Sequence, residues 1–154
     1  MLRPDETRLA AWRSLIHANA RLSEILEEEL DREHGLPLAW YDVLLKLHEA
    51  GGSLRMQDLA NAVLKSKSGL TRLVDRMVSA GLVRREACAS DRRGTLAVLT
   101  DDGRHRLRAA APVHLRGIEE HFGRHVSPEE AEVVTMVCER LLAAAQEEAG
   151  TPRG

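Results

Sequence analysis

The chain has 154 residues, of which 30% are charged and only 3% are aromatic, and its formal net charge is −2. This length allows one domain or two small lobes, and a core so poor in aromatic residues favours helices. No apolar run approaches the ~18–20 residues that span a bilayer, and the first residues lack the apolar stretch of a secretory signal. The two cysteines, Cys88 and Cys138, lie far apart, which argues against a disulfide scaffold and predicts a cytoplasmic protein.

Charge is distributed unevenly along the chain. Residues 55–93 contain nine Lys or Arg against four Asp or Glu, a balance of +5. The other residues contain thirteen against twenty, a balance of −7. A basic middle between acidic flanks predicts a central lobe that binds a polyanion.

The hydrophobic periodicity of the first half predicts four helices. The first covers residues 5–34, ends before Gly35 and carries apolar residues on more than one face, so it should pack against more than one neighbour. A second helix covers residues 36–48, and residues 53–56 form a short extended bridge. Residues 57–63 form a third helix, and a fourth begins at a Ser66 cap and ends before Gly81.

The second half predicts a β-hairpin and two more helices. Residues 82–87 and 95–99 form short strands, and the sequence "CASDRRG" is the loop between them. Thr100 caps a fifth helix, and "SPEE" at residues 127–130 has the Ser cap, Pro and Glu that begin a sixth. The chain is therefore predicted to be mainly α with a small β-hairpin: a winged helix-turn-helix lobe and a helical lobe, in the order α1-α2-β1-α3-α4-β2-wing-β3-α5-α6.

The N-terminal half of the fourth helix carries the candidate DNA contacts. The second helix of a helix-turn-helix enters the major groove with its N-terminal residues first, and small polar or basic side chains there can bind phosphates or base edges. The alternative is an ordinary amphipathic helix with a solvated polar face. The candidate residues are Lys65, Ser66, Lys67, Ser68, Thr71 and Arg72.

The hairpin loop carries a second group of candidates. Arg92 and Arg93 lie at its tip, where a guanidinium can enter the narrow, negative minor groove. Asp91 would repel phosphate, so its expected role is to hold Arg93 or Arg72 in place. Taken alone, the same residues also fit a charged turn.

The segment "KSKSGLTRLVDRMVSAGLVRREACASDRRGTLAVLTDDG" resembles the helix-turn-helix and wing of the multiple-antibiotic-resistance regulator (MarR) family. The resemblance rests on the Thr71-Arg72 pair, the "GLV-R" segment that leads into the wing, the Asp-x-Arg of the wing and the closing "LT-x-x-G". It implies homodimers that bind pseudo-palindromic operator DNA, usually as repressors. It also implies that Arg93 is the wing arginine, that Asp91 is its brace and that residues 66–72 read the DNA.

The domain boundaries follow from the same interpretation. Residues 36–100 form the DNA-binding lobe, and residues 5–35 and 101–148 form the dimerisation lobe. Two rigidly joined copies would bind both half-sites of an operator at once. Neither a cofactor nor contact with a membrane is expected.

Several residues are candidates for a switch. Many members of the resembled family release DNA when a phenolic or other small anion binds between the lobes, and Trp12, His17, Trp40 and Tyr41 are the candidates for such a pocket, although each also fits packing. Cys88 lies near several arginines at the wing, which could make its thiol reactive, so it is an alternative candidate as a redox sensor. It also fits an unreactive small residue of the hairpin. His121 and His125 have helical spacing, but no further ligands complete a metal site, so no metal is expected.

The sequence disfavours two other classes of function relative to a DNA-binding regulator. An enzyme is disfavoured because the chain has no glycine-rich phosphate loop, no G-x-S-x-G and no H-E-x-x-H. An interaction module that has lost DNA binding is disfavoured by the arginines of the wing and the basic middle. The predicted function is a dimeric repressor released by a small molecule, with oxidation of Cys88 as the alternative signal.

Overall fold

The computed structural model describes residues 3–90 and 94–150. The helices are α1 (Glu6–His34), α2 (Leu38–Glu49), α3 (Met56–Ala62), α4 (Lys67–Ser79), α5 (Asp101–His121) and α6 (Pro128–Gly150), and the strands are β1 (Ser53–Arg55), β2 (Val83–Ala87) and β3 (Thr95–Leu99). This order confirms the predicted fold class. None of the helices among the described residues combines the length and apolar character needed to cross a membrane.

Helix ends follow the capping signals in the sequence. Asp5 accepts a hydrogen bond from the backbone N–H of Arg8 at the start of α1, and Gly35 ends that helix with a left-handed φ of 57°. A reciprocal pair begins α6: Ser127 Oγ accepts from Glu130 N at 3.2 Å, and Glu130 accepts from Ser127 N at 2.9 Å. Local capping chemistry therefore sets these helix boundaries.

The second helix begins two residues later than its apolar pattern predicts. Pro37 is the N-cap residue, and the residue before a proline is disfavoured in helical conformation, so Leu36 is buried outside the helix. Pro37 has no side chain that can cap. Instead the Glu27 carboxylate of α1 accepts a hydrogen bond from Leu38 N at 2.7 Å. Glu27, the first of three consecutive glutamates on α1, thus caps the next helix.

The sheet is antiparallel, with strand order β1-β3-β2. Val83 lies opposite Leu99 and Ala87 opposite Thr95 in the hairpin, while Ser53 of β1 lies opposite Val98. The extended bridge before α3 is therefore the edge strand of the winged helix.

The chain divides into two compact units, residues up to Gly117 and residues from Ile118 onward. The first unit contains an aliphatic core to which the helices and the sheet contribute, as its composition predicts. Its largest fully buried side chains are Leu30, Leu36, Val43, Leu44, Leu47, Leu59, Leu70, Val74, Met77 and Val83. In the second unit every described side chain of α6 is exposed or half-buried.

Candidate nucleic-acid interface

Helices α3 and α4 form the two-helix unit, and α4 presents its N-terminal half to solvent. Its apolar stripe of Leu70, Leu73, Val74 and Met77 is buried in the core of the first unit. Burial of this stripe fixes the rotation of α4 and leaves the polar side outward. The predicted contacts Lys65, Ser66, Lys67, Ser68, Thr71 and Arg72 are all exposed.

The N-terminus of α4 is ordered by its own hydroxyl groups. Ser66 Oγ accepts a hydrogen bond from Gly69 N at 3.1 Å, which confirms the predicted cap. Thr71 Oγ1 donates to the backbone carbonyl of Lys67 at 2.9 Å. A Cβ at position 69 would lie 3.0 Å from Ser66 Oγ, so Gly69 makes room for the cap.

A basic groove lies between the start of α3, the start of α4 and the hairpin. Its volume is about 410 Å³. The residues that line it are Arg55, Met56, Gln57, Lys67, Leu70, Thr71, Arg85, Gly94 and Thr95. Three of them, Arg55, Lys67 and Arg85, are cations. Because Arg85 is paired with Asp75, Arg55 and Lys67 supply the positive charge of the groove beside the exposed half of α4.

An ion pair between β2 and α4 braces this groove. Arg85 Nη1 lies 2.6 Å from Asp75 Oδ1, and Arg85 Nη2 donates to the carbonyl of Thr71 at 3.4 Å. Neither residue of this pair is among the sequence-predicted site residues. Strand alternation could have found Arg85, because it lies on the same face of β2 as the buried Val83, two residues away.

The predicted wing residues Asp91, Arg92 and Arg93 lie outside the described residues, but both ends of the loop are described. The backbone N–H of Cys88 donates to Gly94 O at 3.0 Å, which closes the hairpin next to the loop. Arg55 Nη2 donates to Ser90 Oγ at 2.9 Å, and Cys88 Sγ lies 3.3 Å from the same oxygen. Arg55, at the start of α3, therefore fixes the first half of the loop.

A tight joint connects the hairpin to α5. Thr100 Oγ1 donates to Gly81 O at 2.7 Å and accepts from Gly103 N at 3.0 Å. A Cβ at position 103 would lie 2.1 Å from the carbonyl oxygen of Leu82. The "LT-x-x-G" motif thus has a steric basis, since only glycine allows the first turn of α5 to pack on the backbone between α4 and β2.

The four residues predicted to line an effector pocket have different environments. Trp12 is 61% exposed and His17 is exposed, both on α1. Trp40 is half-buried against the core, and Tyr41 is buried. The Tyr41 ring lies 4.4 Å from that of His114, centroid to centroid. Trp40 and Tyr41 follow each other in the first turn of α2, and the recorded ring contact within this set is that of Tyr41 with His114.

His114 has an unusual environment. Its Nδ1 is buried and has no hydrogen-bond partner among the described residues. Burial lowers the pKa of His114 below 6.5, and the nearby Asp42 carboxylate opposes that shift. Burial also raises the pKa of Tyr41. Both rings are therefore held in their neutral forms at neutral pH.

Two helices, the second with an exposed basic N-terminal half, are followed by a β-hairpin that pairs with the strand before them. This arrangement defines a winged helix-turn-helix, which is a class of DNA-binding domain. Residues 34–94 match the model of the MarR family. AbsC, a MarR family transcriptional regulator from Streptomyces coelicolor, is 37% identical, with 98% of this chain and all of AbsC covered and a TM-score of 0.81. The chain belongs to the MarR family.

Two further relatives support DNA binding and transcriptional regulation as the function of this chain. Sco3205, a MarR family transcriptional regulator from S. coelicolor, was solved in complex with DNA; it is 34% identical, with 94% of this chain and 91% of Sco3205 covered and a TM-score of 0.85. Transcriptional regulator HosA of Escherichia coli O157:H7 is 30% identical over 126 residues, which cover 79% of this chain and 92% of HosA. The chain is a DNA-binding transcriptional regulator and not an enzyme.

Proposed function

We propose that this regulator is a homodimeric repressor that binds a pseudo-palindromic operator in the cytoplasm and releases it when a small molecule binds. The exposed, capped N-terminal half of α4 beside the basic groove is the observation that carries the proposal. The segment from Lys65 to Val74 contains no acidic residue, and Asp75, the next residue of α4, is paired with Arg85, so repulsion of phosphate at this end of the helix is small.

In this proposal the N-terminal half of α4 enters the major groove. Arg72 and Lys67 bind guanine edges or phosphates. The shorter side chains of Ser68 and Thr71 form hydrogen bonds to phosphates or base edges through their hydroxyl groups. Arg92 and Arg93 reach the minor groove, with Asp91 as their brace. The Arg55–Ser90 bond supports this assignment, because it ties the loop to the start of α3, next to α4.

Dimerisation is proposed from the apolar surface of the outer helices. Trp12, Leu15 and Ile16 of α1 are 39–61% exposed, and α6 exposes Val133, Val134, Met136, Val137, Leu141 and Leu142. Large exposed apolar surfaces on soluble proteins mark interaction sites. A second copy of the chain is the proposed partner, with residues 36–100 as the DNA lobe and residues 5–35 and 101–148 as the dimerisation lobe.

The proposed effector is a phenolic or other small anionic compound that binds near the start of α2. The half-buried Trp40 provides aromatic surface, and after it in the chain the buried Tyr41 ring contacts His114, whose unpaired Nδ1 is a polar group that a ligand could reach if the start of α2 opened. Trp12 and His17 of α1 complete the proposed set. A ligand releases DNA only if it binds more tightly to the conformation that fits DNA poorly.

Oxidation of Cys88 is the alternative signal. Its Sγ lies 3.3 Å from Ser90 Oγ, the oxygen that also accepts from Arg55. A peroxide would transfer one oxygen to the Cys88 thiolate and leave as water or an alcohol, and the resulting sulfenic acid would disturb the Arg55–Ser90 bond and displace the wing.

Selection of bound duplexes from a random pool tests the proposal. The expected result is an enriched motif with two-fold symmetry and half-site centres one helical turn apart, about 10 base pairs. Size-exclusion chromatography with light scattering on the same sample should give twice the mass of the chain. An asymmetric motif, or a monomer bound to DNA, would contradict the homodimer.

A further inference from the structure

The turn between α3 and α4 contains a leucine with an unfavourable backbone conformation and a side chain that does not pack in the core. Leu64 has a φ of +54° and is the only non-glycine residue with positive φ within residues 3–90 and 94–150. The left-handed region is unfavourable for residues with a Cβ, and Gly or Asn is usual there. The turn itself is well bonded, because Lys65 N donates to Ala60 O at 3.0 Å and so closes the end of α3.

The side chain of Leu64 is also unusually exposed. It is 76% exposed, the highest value among the large exposed hydrophobic residues of the described chain. Burial in the core therefore does not compensate for the unfavourable backbone conformation. A backbone strain that is retained without any gain from packing points to a functional contact made by Leu64.

The position of Leu64 identifies the surface that would cover it. The next residues are Lys65, the Ser66 cap and Lys67, all exposed, and they lead directly into the half of α4 that is proposed to enter the major groove. A polyanion attracted by Lys65 and Lys67 would lie against the turn that carries Leu64. The apolar carbons of DNA available to it are thymine methyl groups and deoxyribose.

We propose that Leu64 is a DNA contact that packs its side chain against a thymine methyl group or a deoxyribose at the edge of each half-site. This inference rests on the proposed placement of α4 on DNA. The unfavourable φ is retained because the contact requires an apolar side chain where the turn would otherwise carry glycine.

Three substitutions test the contact on the duplex recovered by selection. Leu64→Gly and Leu64→Asn both suit a positive φ but remove the apolar side chain, so each should weaken affinity about tenfold, equivalent to about 1.4 kcal/mol. Leu64→Met keeps an apolar side chain and should bind within about twofold of wild type. The melting temperatures of the Gly and Asn variants should equal or exceed that of wild type, because the left-handed strain is relieved.

Salt dependence separates this contact from the neighbouring charges. Lys65→Gln should make the slope of log K against log salt less steep by about 0.9, since one phosphate is no longer neutralised. Leu64→Gly should leave the slope unchanged while lowering affinity at every salt concentration. A duplex with deoxyuridine in place of thymidine then identifies the partner: equal affinities of wild type and Leu64→Gly on it indicate a thymine methyl, and a retained difference indicates deoxyribose.

The outcomes also separate the inference from the proposed function. If Leu64→Gly and Leu64→Asn bind as tightly as wild type while Lys65→Gln weakens binding, Leu64 is no contact and only the inference is overturned. If the wild-type chain enriches no duplex at all, the proposed placement of α4 is overturned and the inference with it.

Discussion

Replacing Gly103 with alanine tests whether the joint between the hairpin and α5 is as tight as the structure indicates. The new Cβ would lie 2.1 Å from the carbonyl oxygen of Leu82 and 2.8 Å from Leu99 Cδ1. Ordinary contacts to carbon are about 3.5 Å long, so the new Cβ and the carbonyl oxygen of Leu82 must separate by about 1.4 Å, which moves the first turn of α5 away from the hairpin. That movement would stretch the two hydrogen bonds of Thr100, to Gly81 O and from Gly103 N.

The expected loss of stability follows from three contributions. Overpacking costs about 1–3 kcal/mol, and weakening a hydrogen bond costs about 1 kcal/mol. Alanine regains about 1 kcal/mol through its higher helix propensity. The net expectation is about 2 kcal/mol, which lowers the melting temperature by about 4–8 °C for a chain of this size.

Thermal unfolding followed by circular dichroism at fixed protein concentration measures the effect, since dimerisation makes stability depend on concentration. Asp102→Ala is the matched control, because Asp102 is the exposed neighbour in the same helical turn and should lose at most about 1 kcal/mol. A Gly103→Ala variant as stable as wild type would refute the steric account of the "LT-x-x-G" motif.

The remaining predictions concern His114 and Cys88. Burial lowers the pKa of His114 in the folded state, so on acidification the unfolded state binds a proton at this histidine at a higher pH than the folded state does. The free energy of unfolding should therefore fall as pH drops below about 6.5. His114→Gln should flatten that decline in urea unfolding between pH 7 and 5, whereas an unchanged decline would contradict it. Cys88→Ser should keep wild-type operator affinity and effector release, and loss of a peroxide-triggered release seen in wild type would establish the redox alternative.

Local signals predicted most of this fold. Asp5, Ser66 and the Ser127–Glu130 pair act through residues three positions away, so helix starts could be predicted from short sequence windows. The alternation of β2 and β3 and the loop between them likewise depend on nearby residues. The start of α2 was wrong by two residues because a proline at the cap outweighed an apolar periodicity that extends to Leu36.

Interactions between distant residues were not predictable in the same way. The Glu27 cap of α2, the Arg85–Asp75 pair and the Arg55–Ser90 bond each depend on how the elements pack. The exposure of the α4 residues was predictable, because the buried stripe fixes the opposite face. The positive φ of Leu64 was not predictable, since leucine is not a residue type that favours a left-handed turn.

The central claim is that the N-terminal half of α4 binds DNA, and the salt dependence of affinity for the selected duplex tests it most directly. With about six phosphates neutralised, affinity should fall about 10³-fold between 50 and 200 mM salt. Arg72→Gln should lower affinity and make the slope less steep by about 0.9, whereas Arg140→Gln, an exposed arginine of α6, should change neither. A flat salt response, or an Arg72→Gln variant with the wild-type slope and affinity, would contradict the account.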